Sequence, residues 1–184
     1  MCIRDSYAAD MVLIPEVPFT LEGPEGLLAR AEQLIRACGH VVIVVAEGAG
    51  QDLLRAAGHL EDADATDASG NVKLGDIGQF LAEELTEHLS GVGLPPTLRY
   101  IDPSYSIRSV SANAYDSVYC LRLAHAAVHA AMAGRTETVV VRWRRRFVHV
   151  PMPLITSHRN QVDPDGDLWM SDLEATNQTE ILAG

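Results

Sequence analysis

An α/β fold on a parallel sheet is the architecture this 184-residue chain predicts, and three observations carry it. Residues 40–46 form an unbroken Val/Ile run without polar alternation, the pattern of a strand covered on both faces. Shorter apolar runs at 11–15 and 97–101 read as strands of the same kind. Between and after these runs stand stretches of helical period, and alternation of strand with helix is the signature of parallel βαβ units. The expected class is therefore a parallel-sheet, Rossmann-like α/β domain with a C-terminal ribbon and helix.

Each element follows from local pattern. After the strand at 11–15, Pro15 and Pro18 force an extended exit. Residues 24–38 predict a helix with Leu27, Leu28, Ala31, Leu34, Ile35 and Cys38 on one face, stopped by Gly39. Gly48 and Gly50 predict a tight turn into a short helix near 51–57. The run from Glu61 to Asn71 reads as a solvated acidic loop. A second amphipathic helix spans about 75–90, with Ile77, Phe80, Leu81, Leu85 and Leu89 as its buried stripe. The longest helix covers about 113–133 and ends at Gly134. Residues 138–150 look like an antiparallel hairpin, and 167–176 like a terminal helix.

Composition narrows the function classes. An apolar fraction of 47% with a mean hydropathy of +0.05 is ordinary for an α/β protein and too high for disorder. A net charge of −11 argues against nucleic acid and anionic membranes as partners, since both need a cationic surface. Cys2, Cys38 and Cys120 show no C-x-x-C spacing, which argues against a disulfide framework or zinc site and fits a reducing cytoplasm. No apolar run approaches the roughly 20 residues that span a bilayer, and no signal-peptide core precedes the domain.

The segment 98–108, LRYIDPSYSIR, is the most informative stretch. A strand runs into a Pro-containing loop that carries Tyr105 and Arg108 three residues apart, then opens the long Ala-rich helix. A phenol and a fixed guanidinium aimed at one space suit a phosphorylated, hydroxylated small molecule. Tyr105 also reads as a ring packed with its hydroxyl in water, and Arg108 as a surface or ion-paired cation. Glu16 follows a strand at the carboxyl edge of the sheet, where α/β folds bind ligands. A solvent-exposed strand-end acid fits Glu16 equally well. Arg99, flanked by Leu98 and Tyr100, would point to the opposite strand face from them, as a ligand contact or an exposed strand cation.

Several of these segments, in this order, resemble the phosphofructokinase family, specifically its plant-like and pyrophosphate-type long-chain branch. LIPEVPF at 13–19 is similar to a family strand whose Glu contacts sugar hydroxyls, and VVAEGAGQ at 44–51 to a strand and turn. YIDPSYSIR at 100–108 resembles the family's strand and Y-x-x-R clamp, and NAYDSVYC at 113–120 its helix. AVHAAMAG at 127–134 is a further match, with Ala130 where the family usually has Gly. The resemblance implies a 6-phosphofructokinase that converts fructose 6-phosphate to fructose 1,6-bisphosphate in glycolysis, a cytoplasmic kinase that is a homo-oligomer when full length. Within it the resemblance implies that this chain is the sugar-phosphate half of the fold, with Glu16 holding hydroxyls, Tyr105 giving a directional hydrogen bond, and Arg108 and Arg99 meeting the 6-phosphate region.

The family's GGD phosphate loop, T-x-D segment with its catalytic Asp, and MGR segment do not occur here. The resemblance thus implies a C-terminal portion with no catalytic residue of its own. Mg²⁺ and the phosphoryl donor, ATP or pyrophosphate, would be held mainly by an N-terminal half. The expected organisation is a foreign leader at 1–8, a substrate-binding domain at 9–136 and a C-terminal extension at 137–184. A non-catalytic sugar-phosphate module or regulatory homologue is the alternative.

Other motifs read as structural. Glu47, beside Gly48, is expected to accept from backbone amides of the following turn. His125 and His129, one helical turn apart, lack a third ligand at metal spacing, which favours a packing role. The basic run Arg142-Trp143-Arg144-Arg145-Arg146 reads as an edge ribbon whose charges deter pairing or as an intersubunit contact, with an anion patch as the sharper option. The Asp163–Asp167 run lacks the ligand that closes an EF-hand loop and reads as a turn into a helix.

Overall fold

A computed structural model describes residues 9–60, 72–157 and 160–178. The chain divides into two compact units, residues 1–101 with 161–184 and residues 102–160. The expected leader at 1–8 and the acidic loop at 61–71 lie outside the described residues.

The first unit holds β1 (Met11–Leu13), α1 (Leu27–Cys38), β2 (Ile43–Val45), α2 (Gln51–Ala56), α3 (Ile77–Gly91) and α7 (Asp167–Thr176), the last two separated in sequence by the second unit. β1 and β2 pair in parallel, Met11 opposite Ile43 and Leu13 opposite Val45, with α1 as the crossover that parallel strands require. Asp10 locks the start of both strands. Its amide donates to the Val42 carbonyl at 2.8 Å, and its buried carboxylate accepts from the Val42 amide at 2.8 Å. Leu27, Leu28, Ala31 and Leu34 of α1 meet Ile77, Phe80, Leu81 and Leu85 of α3 in one core with Met11, Leu13 and Leu54. The α1 helix begins three residues later than its period predicts, because the Leu27 and Leu28 amides bond back to the carbonyls of Thr20 and Leu21. α3 starts at Asp76, whose carboxylate accepts from the Gln79 amide as an N-cap.

Two expectations for the sheet fail. Residues 97–101 are not a strand: the segment has no regular structure, and the Tyr100 hydroxyl donates to Asp76 Oδ1 at 3.0 Å. The Tyr100 ring lies where a side chain at Gly78 would sit. These contacts tie the segment to α3 instead of to the sheet. β2 is also shorter than the Val/Ile run and covered on one face only, since Val44 is 50% exposed.

The second unit holds α4 (Ser104–Ser109), α5 (Ala114–Met132), β3 (Thr138–Trp143), β4 (Arg146–Pro151) and α6 (Met152–Thr156). β3 and β4 form the expected antiparallel hairpin, Thr138 opposite Pro151 and Trp143 opposite Arg146. The two-residue turn between them sets Arg144 and Arg145 at φ of +43° and +70°. Left-handed backbone costs a non-glycine residue about 1–2 kcal/mol, so this turn is held by the ladder and not by preference. α5 lays Tyr119, Leu123, Ala126 and Ala130 on the hairpin at helical spacing, with Tyr119 and Phe147 ring centroids 6.1 Å apart. Its other side is exposed through Val118, Leu121, Val128 and Met132. His125 and His129 are exposed as well, so the packing role expected of them is not seen. The helix α4 stands where a Pro loop was predicted. Pro103, at φ −80°, leads into it, and the Ser109 hydroxyl closes it by donating to the Tyr105 carbonyl at 2.8 Å.

Candidate functional site

Because β1 and β2 run parallel, their carboxyl ends share one edge, and the turns after both strands meet there. Gly48 approaches Pro15 so closely that an added Cβ would stand 3.0 Å from the Pro15 Cγ. Gly50, at φ +61°, turns the chain into α2 with Ile77 and Phe19 behind it, a position at which a Cβ would collide with both. Glu16 emerges at this edge, three residues beyond β1. Its Oε1 accepts from the Val162 amide at 3.2 Å, while Oε2 is buried and has no hydrogen-bond partner among the described residues. An unmatched buried carboxylate oxygen is costly unless a donor completes it, and a ligand hydroxyl is one such donor.

Glu47 stands at the same edge, but its side chain is exposed and makes none of the expected bonds to the turn. The turn is closed instead by the Ala49 amide on the Ala46 carbonyl and by Gln51 Nε2, which donates to the Glu47 carbonyl at 2.9 Å. Gln51 Oε1 also accepts from the Gly75 amide at 2.9 Å. A glutamine at the first position of α2 thus ties the turn to Gly75, donating to the Glu47 carbonyl and accepting from the Gly75 amide.

Arg99 belongs to the first unit too. It lines a cavity of about 590 Å³ bounded by Ile43 and Val45 of β2, by α3 and by residues 93–100. Leu98 and Tyr100 line the same cavity, so the strand alternation that would set Arg99 opposite to them does not operate.

Tyr105 and Arg108 lie in the second unit, on α4. Three residues apart on a helix, they share a face. Tyr105 is 84% exposed, Arg108 is exposed, and neither side chain has a partner among the described residues. An unengaged phenol and guanidinium one turn apart can grip an oxyanion and an adjacent hydroxyl together. The four candidate residues therefore divide between the units, Glu16 and Arg99 on the first, Tyr105 and Arg108 on the second. The described residues contain no group of three or more His, Cys, Asp or Glu side chains with which to hold a metal ion. None of their helices is long and apolar enough to cross a membrane.

Sequence reasoning missed Gln178, which had no motif to mark it. Its amide oxygen accepts from the Val12 amide at 3.0 Å and its nitrogen donates to the Val12 carbonyl at 3.1 Å, so one side chain serves the outer edge of β1 as a neighbouring strand would. Arg30 Nη2 fixes this return segment by donating to the Asn177 carbonyl at 2.9 Å.

Residues 5–131 match the family model described as Phosphofructokinase. The chain is 69% identical over 172 residues to an ATP-dependent 6-phosphofructokinase of Amycolatopsis methanolica, covering 93% of this chain and 38% of that protein. It is 42% identical over 179 residues to an ATP-dependent 6-phosphofructokinase of Borreliella burgdorferi, covering 94% and 39%. It is 39% identical over 177 residues to ATP-dependent 6-phosphofructokinase 5, chloroplastic, of Arabidopsis thaliana, covering 96% and 32%. The chain spans about a third to two fifths of the length of these relatives. With a family match running from before β1 almost to the end of α5, the chain belongs to the phosphofructokinase family.

Proposed function

We propose that this chain is the sugar-phosphate-binding side of an ATP-dependent 6-phosphofructokinase that phosphorylates fructose 6-phosphate. The observation that carries the reading is the Tyr105–Arg108 pair, unengaged and one turn apart on α4. Arg108 meets the 6-phosphate as a charge-assisted donor. Tyr105 directs a hydrogen bond to the sugar or its phosphate, Arg99 adds a second cation, and the free oxygen of Glu16 accepts from a ring hydroxyl. In phosphoryl transfer the protein chiefly positions groups and neutralises charge, and these four residues do so on the acceptor side. ATP is favoured over pyrophosphate by the names of the relatives. The donor and Mg²⁺ belong to the region of those relatives that this chain does not span. Residues 9–136 form the substrate domain in this reading, 137–184 an extension, and the working enzyme is an oligomer.

The test is made in a full-length protein that carries this chain. Arg108→Ala should weaken fructose 6-phosphate use about ten- to a hundredfold, as expected for loss of a contact of about 1.5–3 kcal/mol. Arg108→Lys should recover little if the contact is bidentate. The KM for ATP should hardly move. Equal losses for sugar and donor would instead indicate disrupted assembly and count against the clamp. By itself the 184-residue chain should form no fructose 1,6-bisphosphate with either ATP or pyrophosphate.

A further inference from the structure

We propose that the arginine turn between β3 and β4 is a docking surface for the acidic segment of a second copy of this chain. The turn is unusual in its backbone and in its chemistry. Both central positions have positive φ, where Asn-Gly is the favoured pair, yet Arg144 and Arg145 occupy them. An outlier of this kind points to a use for the side chains so displayed. Arg142 is already engaged, donating to the Tyr115 hydroxyl at 2.9 Å with its guanidinium 5.7 Å from the Tyr119 ring centroid. Arg144, Arg145 and Arg146 are exposed and have no carboxylate partner among the described residues. Trp143 beside them is 65% exposed. Arginine flanking an exposed tryptophan is the composition of an interface anchor.

Charge identifies the occupant. Residues 102–160 carry eight arginines and no lysine against Asp102, Asp116 and Glu137, a net +5 in a chain of −11, so the rest of the chain carries −16. A nucleic-acid partner would be repelled by that excess, whereas a second copy brings it as the attraction. Its most concentrated described part is the segment 163–174, where Asp163, Asp165, Asp167, Asp172 and Glu174 stand without a single Lys or Arg. If the turn of each copy meets this segment of the other, a twofold operation forms two equal contacts and closes at a dimer. Single exposed ion pairs contribute little, but clustered charge steers association and responds steeply to salt. This inference names a surface for the oligomer proposed above and does not rest on the sugar-phosphate assignment, because its readout is mass.

The full chain would be examined by sedimentation equilibrium at about 0.01 M and about 1 M salt, where the screening length falls from about 30 Å to about 3 Å. The expected result is a mass near twice 19.9 kDa at low salt and near 19.9 kDa at high salt. R144E/R145E should be monomeric at low salt with an unchanged circular dichroism spectrum. Arg146→Glu, which lies outside the left-handed positions, should lower the dimer fraction as well. Adding D165R/E174R to R144E/R145E should restore the dimer. A monomer at both salts, a dimer indifferent to salt, or a dimer that survives R144E/R145E and Arg146→Glu would overturn the proposal. So would duplex DNA binding that depends on these arginines while the protein alone stays monomeric.

Discussion

The two units solve the problem of stability differently. In the first, β1, β2, α1 and α3 enclose a continuous core, and every buried apolar side chain among the described residues except Ala130 lies in that unit. In the second, a 19-residue helix and a hairpin bury little beyond one alanine and the half-covered rings of Tyr119 and Phe147. Yet Tyr105 and Arg108 stand on that lightly packed unit, and Glu16 and Arg99 on the well-packed one. The candidate contacts are thus carried both by a well-packed unit and by one with little core of its own. Elements with few buried contacts are the ones that open at low cost.

The largest test of this difference is a core deletion in each unit. Leu27, fully buried in α1, should cost about 2–5 kcal/mol on replacement by alanine. Leu123, half-covered in α5, should cost under about 1 kcal/mol. The two tryptophans let each unit report for itself, since Trp169 lies buried in the first and Trp143 exposed in the second. In a Trp143→Phe background, urea unfolding followed by Trp169 emission should shift strongly with Leu27→Ala and hardly with Leu123→Ala. Equal shifts would mean that the units unfold as one, and the comparison would fail.

A middle-sized effect is expected at the edge of β1. Gln178→Ala leaves the Val12 amide and carbonyl without their partner in a half-buried setting, at about 1–2 kcal/mol. Gln178→Glu keeps an acceptor for the Val12 amide but loses the donor to its carbonyl, so it should not rescue. Trp169 packs near the same edge and should sense both changes. If Gln178→Ala unfolds at the same urea concentration as the parent, water replaces the side chain and the edge is not closed by it.

How far the sequence revealed these features depended on whether the determining contact was local. The faces of α1 and α3 and the span 167–176 of the last helix were readable because periodicity and buried stripe are properties of a short window. The spacing of Tyr105 and Arg108 was readable, but α4, which carries both, was hidden by the proline, which ends a helix in most contexts and here precedes one. Residues 97–101 have the composition of a strand, and their outcome is decided by Tyr100 bonding to Asp76, far back in sequence. The bond of Gln51 to the Gly75 amide, 24 positions away, and that of Gln178 to β1, 166 positions away, are side-chain-to-backbone pairings across the fold. No short window of sequence contains both partners.

The smallest effect concerns the seam between α1 and α3, and it separates the units by pH. Glu32 accepts from Arg36 Nε at 2.7 Å through Oε1, and His88 Nε2 lies 3.1 Å from Oε2. The Arg36 hydrogen bond, with a lesser share from His88, holds the Glu32 carboxyl below its ordinary value of 4.5. A carboxylate whose folded pKa is depressed contributes stability that is present above the unfolded value and disappears as pH falls through the folded one. Glu32→Gln should therefore lower the urea midpoint slightly at neutral pH, and the gap from the parent should close as pH drops below 4.5. The link lies wholly within the first unit, so Trp143 emission should not register it. A gap that persists in acid would assign the loss to packing of the side chain and not to its charge, and a change seen at Trp143 would show that the seam reaches the second unit.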